Sequence, residues 1–241
     1  MPIGSKGLVP TSKTYKRMYN GAKIRSSYII SNAIGQGEVL TSPIQLANMM
    51  ATVANRGYYF TPHIVKNIKD QKLDKKFFTK HYTTIDKQYY EPVIQGLEDV
   101  YNYGTAAGFR VEGMKICGKT GTAENKIRVA GKTYQLKDHS IFVAFAPRDN
   151  PKIALAVFIE NSGYGATWAG PIATLMLEKY INGKISRKDL ETRMLNGSLK
   201  SEYDKIENII FQRKADPTKF QDSINKTKAE ISEAKKEEEE A

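Results

Sequence analysis

The sequence lacks the residues on which several common kinds of site depend. It has one cysteine, Cys117, so no internal disulfide can form, and the surrounding strand pattern predicts a small buried side chain rather than a reactive thiol. The three histidines, His63, His81 and His139, are scattered without metal-ligand spacing, so we expect neither a metal nor another cofactor. No stretch approaches about 18 consecutive apolar residues, so no membrane-spanning helix is predicted.

Acidic residues are also scarce relative to basic ones. The 241 residues carry a formal net charge of +11, and the excess lies in the first three quarters of the chain. A basic surface suits nucleic acid, an anionic envelope or acidic substrates, and a simple solvated basic face explains it as well. Tyr15, Tyr19 and Tyr28 lie among lysines and arginines, but no aromatic platform repeats, so we expect no nucleic-acid partner.

The first third of the chain predicts one irregular segment and one helix. Residues 1–27 are rich in turn residues and show no period, so we predict a loop there. Ser42 and Gln45 form a capping box around Pro43, which predicts the start of a helix. The core-facing residues of this helix are predicted to be Leu46, Met49, Met50 and Val53.

The middle of the chain predicts a short strand over residues 58–65 and a second helix. Asp86 is a candidate cap for that helix, and Gly104 is its stop. Its core-facing residues are predicted to be Val93, Leu97, Val100 and Tyr101.

The later part of the chain predicts a sheet. A polar hairpin or exposed loop is expected over residues 125–138, and two apolar strands joined by turn residues 147–151 predict an antiparallel pair. Pro171 opens a last core helix that ends near Gly183. This order of elements predicts an α+β fold in which an antiparallel sheet is packed with helices.

The tail has a different composition. From about residue 186 charges of both signs alternate and apolar residues become rare, so we predict a domain over residues 1–185 and a charged, partly helical or disordered tail over residues 186–241.

The stretch from Gly118 to Glu124 is the candidate site. Residues 114–117 alternate apolar and polar, so a strand is predicted that places Lys119 and Gly121 on one face and Thr120 on the other. A lysine supplies a point charge and hydroxyls supply donors, so such a strand can form one wall of an anion site. Gly121 allows another backbone or a ligand to come close.

Lys119-Thr120-Gly121 is also one of three signatures of serine enzymes that bind penicillin. Alone it is weak, but seven segments in order resemble the C-terminal part of a transpeptidase domain in class B penicillin-binding proteins of the elongation type. The resemblance covers about residues 20–183. The seven segments are residues 34–37, 41–46, 54–57 with 62–65, 104–106, 118–123, 138–139 and 142–147.

The resemblance implies a β-lactamase/transpeptidase-like fold and D,D-transpeptidation, in which a serine is acylated by the D-alanyl-D-alanine end of a peptidoglycan stem peptide or by a β-lactam. Lys119 is then a catalytic residue that holds a positive potential over the terminal carboxylate. Thr120, Gly121 and Thr122 bind substrate, and the N–H of Thr122 is one oxyanion donor. The implied partners include cell-elongation proteins, and the implied location is the inner membrane with a periplasmic catalytic domain, the anchor being absent from this chain.

The nucleophile motifs of this family, Ser-x-x-Lys and Ser-x-Asn, do not precede Lys119. Ser223 satisfies both patterns and Ser232 the first, but both follow Lys119 in the charged tail, so we interpret them as chance matches. A serine needs an adjacent base to be activated. We therefore predict an incomplete transpeptidase domain with no acylation centre, poor stability and a large exposed apolar patch.

Other functions remain open at this point. A basic module that binds peptidoglycan or nucleic acid explains the charge and makes the Lys119 motif a coincidence. A fragment of a β-lactamase or of a β-lactam sensor shares the predicted fold, although the long tail argues against it.

Overall fold

The structure is a computed structural model that describes residues 6–21, 23–129 and 131–215, so Ser223 and Ser232 lie outside the described residues. The α-helices are α1 (Ser12–Met18), α2 (Ser26–Ala33), α3 (Pro43–Ala54), α4 (Tyr90–Asn102), α5 (Ala169–Asn182), α6 (Lys188–Leu195) and α7 (Lys200–Ala215). The strands are β1 (Tyr58–Tyr59), β2 (His81–Tyr82), β3 (Cys117–Ala123), β4 (Lys126–Val129), β5 (Lys132–Gln135), β6 (His139–Ala146) and β7 (Ile153–Ile159).

Three strands form the central sheet, in the order β3-β6-β7, and both pairs are antiparallel. The predicted antiparallel pair is thus β6 and β7, and the predicted polar hairpin is β4 paired with β5. The predicted length of the strand over residues 58–65 was wrong, because β1 ends at Tyr59. Its partner strand, β2, also consists of only two residues. An α+β fold with an antiparallel sheet is confirmed.

Each face of the sheet supports one apolar cluster. One cluster joins Phe142, Ala144 and Leu155 to α5, and the other joins Val143 and Phe145 to α3 and α4. Side chains alternate between the two faces along a strand, so neighbouring residues of β6 contribute to different clusters. Residues 142–146 are all buried, which places β6 at the centre of the fold.

The capping box of α3 is present as predicted. The backbone N–H of Ser42 donates to Gln45 Oε1 at 2.8 Å, and Pro43 occupies the first turn. Two methionines of α3 were predicted to face the core. The prediction is confirmed for Met50, which is 2% exposed, and was wrong for Met49, whose side chain is 48% exposed.

The predicted core face of α4 is confirmed in part, because Tyr101 is 1% exposed and Leu97 packs against a core cluster. Ile94 and Glu98 are buried, whereas Val93 is 51% exposed. Glu98 forms an ion pair with Arg148 from the turn between β6 and β7. A paired carboxylate can be buried, so this contact accounts for a charged residue on the inner face of α4.

The loop predicted over residues 1–27 was wrong, since α1 lies within that range and α2 begins there. Three tyrosine rings hold this segment together. Tyr19 and Tyr28 stack with ring centroids 4.7 Å apart, and Tyr15 stacks on Tyr28 at 5.4 Å. Tyr15 and Tyr19 both donate to Glu38, at 3.0 and 2.6 Å. The stacked rings and their bonds to Glu38 thus connect α1, α2 and the segment before α3.

The last core helix, α5, ends as predicted at Gly183, which has the left-handed φ of 73°. α6 and α7 follow it, and the domain boundary at residue 185 remains a prediction. In the described parts of the chain, no helix has the length and apolar character needed to cross a bilayer. The predicted apolar patch also remains a prediction, although Ile30, Ile34 and Ile44 are each more than half exposed.

The carboxylate of Glu178 ties the end of α5 to the segment that follows it. Glu178 is 1% exposed, accepts the Ser186 N–H at 2.7 Å and pairs with Arg187 Nε at 3.0 Å. Arg187 also donates to the carbonyl of Phe109 at 2.8 Å. Burial raises the pKa of Glu178, but the bonds from Ser186 and Arg187 outweigh burial, so the pKa lies below its ordinary value of 4.5.

We expect Glu178→Gln to lower the free energy of unfolding at pH 7 by about 2 kcal/mol, because the charge-assisted bonds are lost. A carboxyl group whose pKa is lowered in the folded state stabilises the fold at pH values above its pKa in the unfolded state. This contribution is lost as the pH falls through the pKa of the folded state. Urea unfolding should therefore show that the difference between the two proteins shrinks below pH 4.5. Glu191→Gln, which affects an exposed pair with Lys188, is the control and should change stability by less than about 0.5 kcal/mol. An equal loss of unfolding free energy at pH 7 and below pH 4.5 would contradict a lowered pKa for Glu178.

Cys117 is fully buried, and burial raises the pKa of its thiol to about 12. We expect no reaction with a thiol-specific reagent at pH 8 in the folded state and complete reaction in urea, because only the thiolate is nucleophilic. Ser201→Cys provides an exposed thiol as a positive control. Rapid labelling of Cys117 in the folded protein would show that the β3 strand opens readily.

Candidate functional site

The candidate site lies on β3, which forms one edge of the central sheet in the part of the chain that the structure describes. Its inner neighbour is β6, with Lys119 opposite Val143 and Thr122 opposite Ser140. Gly118 is needed for this pairing, because a Cβ there would stand 2.6 Å from Cζ of Phe142. The other edge of β3 carries no partner strand among the described residues.

The Lys119 ammonium lies beside Thr120. Lys119 Nζ donates to the Thr120 carbonyl oxygen at 2.8 Å and is 3.5 Å from its hydroxyl. The Thr120 hydroxyl is in turn 2.8 Å from the hydroxyl of Thr105, in the turn after α4. One ammonium and two hydroxyls therefore converge on a partly exposed position, which is the donor set that a carboxylate requires.

Backbone approaches Gly121 closely. A Cβ on Gly165 would stand 2.4 Å from the carbonyl oxygen of Ile141 and 2.6 Å from that of Gly121. The segment between β7 and α5 therefore packs directly on the β3-β6 pair, and only a glycine fits at position 165. The close approach predicted at Gly121 comes from this segment of the chain itself.

Hydrogen bonds from buried polar groups hold that segment in place. The Ser140 hydroxyl donates to the Tyr164 carbonyl at 3.0 Å and accepts the Ala169 N–H at 3.1 Å. The carbonyl of Asp138 accepts the N–H groups of Ser162 and Gly163 at 3.0 and 2.8 Å.

The same segment is also held near its start. Asn161 donates its backbone N–H to His139 Nδ1 at 3.2 Å, and its side-chain oxygen accepts from Asn125 Nδ2 at 2.5 Å. The loop between β5 and β6, the end of β3 and the segment before α5 thus form one hydrogen-bonded unit beside the site.

All four residues predicted for the site lie on β3, and the structure brings Thr105 and Ser140 to them, which the sequence reasoning did not assign. The only signals available were the small residues around Thr105 and a serine at the start of an apolar strand. Among the described residues, no serine hydroxyl bonds to Lys119, and no three His, Cys, Asp or Glu side chains lie close enough together to hold a metal.

Comparison with known proteins gives a consistent result. Residues 7–178 match the penicillin binding protein transpeptidase domain. The chain is 29% identical over 215 residues to the peptidoglycan D,D-transpeptidase MrdA of Haemophilus influenzae, which covers 78% of this chain and 33% of that protein. Against MrdA of Acinetobacter baumannii the identity is 33% over 187 residues, covering 70% and 26%. The chain thus spans about a quarter to a third of the length of these curated relatives.

Solved structures show the same fold. The Pseudomonas aeruginosa PBP2 in complex with WCK 5153 has a TM-score of 0.60 and 30% identity, covering 76% of this chain and 39% of that chain. The PBP2 of Helicobacter pylori, solved in a complex with MreC, has a TM-score of 0.59 and 25% identity, covering 76% and 32%. With the edge strand and its Lys119 motif in place, and with a match over residues 7–178, the chain belongs to the penicillin-binding protein transpeptidase family.

Proposed function

We propose that this chain carries the substrate-binding strand of a peptidoglycan D,D-transpeptidase. The observation that carries the proposal is the convergence of Lys119, Thr120 and Thr105 on the open edge of β3. The substrate is the D-alanyl-D-alanine end of a stem peptide, and β-lactams are ligands of the same strand. The family match and the names of the similar proteins support this choice over a general basic binding module.

The terminal carboxylate of the peptide binds at the Lys119 ammonium and the Thr120 hydroxyl. In the ligand-free protein Lys119 Nζ bonds to the Thr120 carbonyl, and a carboxylate replaces this neutral acceptor with a charged one. Charge-assisted bonds are shorter and stronger than neutral ones, so the exchange favours binding. Thr105 keeps the Thr120 hydroxyl at the site through its 2.8 Å contact.

The peptide backbone lies along β3 as an added strand. Residues two apart in a strand direct their backbone groups to the same side. The Thr120 carbonyl is directed to the Lys119 ammonium, so the N–H of Thr122 faces the same side and is available to an oxyanion. Donors of this kind typically contribute a factor of about a hundred or more in rate.

The acyl-transfer serine is not assigned to any residue of this chain. No Ser-x-x-Lys precedes Lys119, and no serine among the described residues bonds to Lys119. The roles proposed here are therefore limited to binding the carboxylate, orienting the peptide and donating to the oxyanion. A periplasmic site at the inner membrane and a partner of the MreC type, as in the complex of the Helicobacter pylori relative, complete the proposal.

We expect this chain alone to form no covalent adduct with a fluorescent penicillin, because an unactivated serine hydroxyl is a weak nucleophile. Gel fluorescence and intact-protein mass measurement test this, with a full-length penicillin-binding protein as the labelled control. A stoichiometric adduct on any serine would refute the claim that the acylating residue is not in this chain.

Carboxylate recognition can be tested by binding alone. A fluorescent peptide ending in D-alanyl-D-alanine should bind about tenfold more tightly than its C-terminal amide, the factor expected for one charge-assisted bond in a partly exposed site. Lys119→Ala should remove this difference by weakening only the acid. Lys115→Ala, which removes another exposed lysine close by in the sequence, should leave it unchanged. Equal anisotropy titrations for acid and amide with the unaltered chain would contradict the proposed site.

A further inference from the structure

A long surface loop lies between β1 and β2. We define the basic loop as residues 60–80. Its ends are joined by two antiparallel pairs, Tyr58 with Tyr82 and Tyr59 with His81. Just outside them, the N–H of Thr83 donates to the carbonyl of Gly57 at 2.9 Å. Loops of more than about 15 residues are uncommon in compact domains and are often functional.

The charge of the basic loop is strongly positive. It contains six lysines and two aspartates, which leaves an excess of four positive charges in 21 residues. One aspartate, Asp74, is engaged by Lys76 at 3.0 Å. The six lysines are all exposed, and they are Lys66, Lys69, Lys72, Lys75, Lys76 and Lys80.

Large apolar side chains are exposed in the same loop. Ile64 is 87% exposed and Phe78 61%, and Val65 and Ile68 are both above 40%. Three of them lie together with two lysines in the run from Ile64 to Lys69. Single exposed apolar residues are ordinary on protein surfaces, but four of them within a highly charged loop mark an interaction site.

The exposure follows from a definite loop structure. The His63 ring packs on Phe77 with centroids 4.6 Å apart, and His63 Nδ1 is 3.0 Å from the Thr61 carbonyl. The N–H of Gln71 donates to the Ile68 carbonyl at 3.2 Å, which closes a tight turn. Part of the apolar content is thus packed inside the loop, while Ile64 and Ile68 remain in contact with solvent.

We propose that the basic loop docks on the surface of an anionic lipid bilayer. Lysines near such a surface are attracted by its negative potential, and exposed aliphatic or aromatic side chains gain by entering the boundary between headgroups and acyl chains. A soluble polyanion accounts for the lysines but offers nothing to Ile64 and Ile68, so the combination favours lipid. This surface is separate from β3, and the inference does not depend on the proposed transpeptidase function.

Vesicle co-sedimentation of the full chain tests the proposal. We expect binding to phosphatidylcholine vesicles that contain about 30% phosphatidylglycerol, little binding to pure phosphatidylcholine, and release as salt rises to about 0.5 M. Replacing Lys66, Lys69 and Lys72 together by Gln should weaken binding at least tenfold, given about fivefold for each lysine near the surface. Ile64→Ser with Ile68→Ser should weaken it about tenfold.

Two matched variants serve as controls. Gln at the exposed residues Lys13, Lys179 and Lys184 removes equal charge outside the loop, and Ser at the exposed residues Ile30 and Ile44 removes equal apolar area. Both should bind like the unaltered chain, and circular dichroism should show that all four variants are folded.

Three outcomes would overturn the proposal. The first is no binding to anionic vesicles at low salt. The second is an equal loss in the matched controls, which would indicate a diffuse charge effect. The third is a loss with the lysine variant but none with the isoleucine variant, which would identify a soluble polyanion as the ligand. In the supporting outcome, Ile64→Trp should also give fluorescence that brominated lipid quenches.

Discussion

The antiparallel pairing of β3 with β6 is the constraint on which the rest of this structure depends. It runs over seven residue pairs, from Cys117 with Phe145 to Ala123 with His139. β6 is covered on both faces, by α5 on one and by α3 and α4 on the other, so its position is set by the whole core. Pairing with β6 therefore holds β3 in place, whereas the other edge of β3 carries no partner strand among the described residues. The binding role proposed for β3 requires this combination of rigidity and access.

The second constraint is the segment that joins β7 to α5. Gly165 allows it to rest on the backbone of Gly121, and Ser140 bonds to it and to the first turn of α5. At the far end of α5, Glu178 and Arg187 connect the helix to the turn at Phe109. α5 is therefore tied at both ends, to the segment that packs on Gly121 and to the turn that contains Phe109.

Charge is used in two distinct ways. The buried carboxylates Glu98 and Glu178 each have an arginine partner, because an unpaired charge in the core is costly. The lysines of the basic loop are instead exposed and mostly unopposed, so their repulsion is relieved by water and salt or by an anionic surface. The basic loop supplies four of the eleven excess positive charges of the chain.

The sequence alone determined the elements whose signals are local: the capping box of α3, the strand pair β6 and β7 around its turn, the end of α5 at Gly183, and the lysine strand that marks the family. Only the tertiary structure decided that Glu98 rather than Val93 is buried on α4, that Met49 is exposed, that residues within 1–27 form helices, and that Thr105 reaches Thr120. Several of these depend on a partner distant in sequence, such as Arg148 for Glu98 or Glu38 for Tyr15 and Tyr19. Local propensity is weak compared with such contacts, so the chain adopts the arrangement in which buried polar groups find their partners.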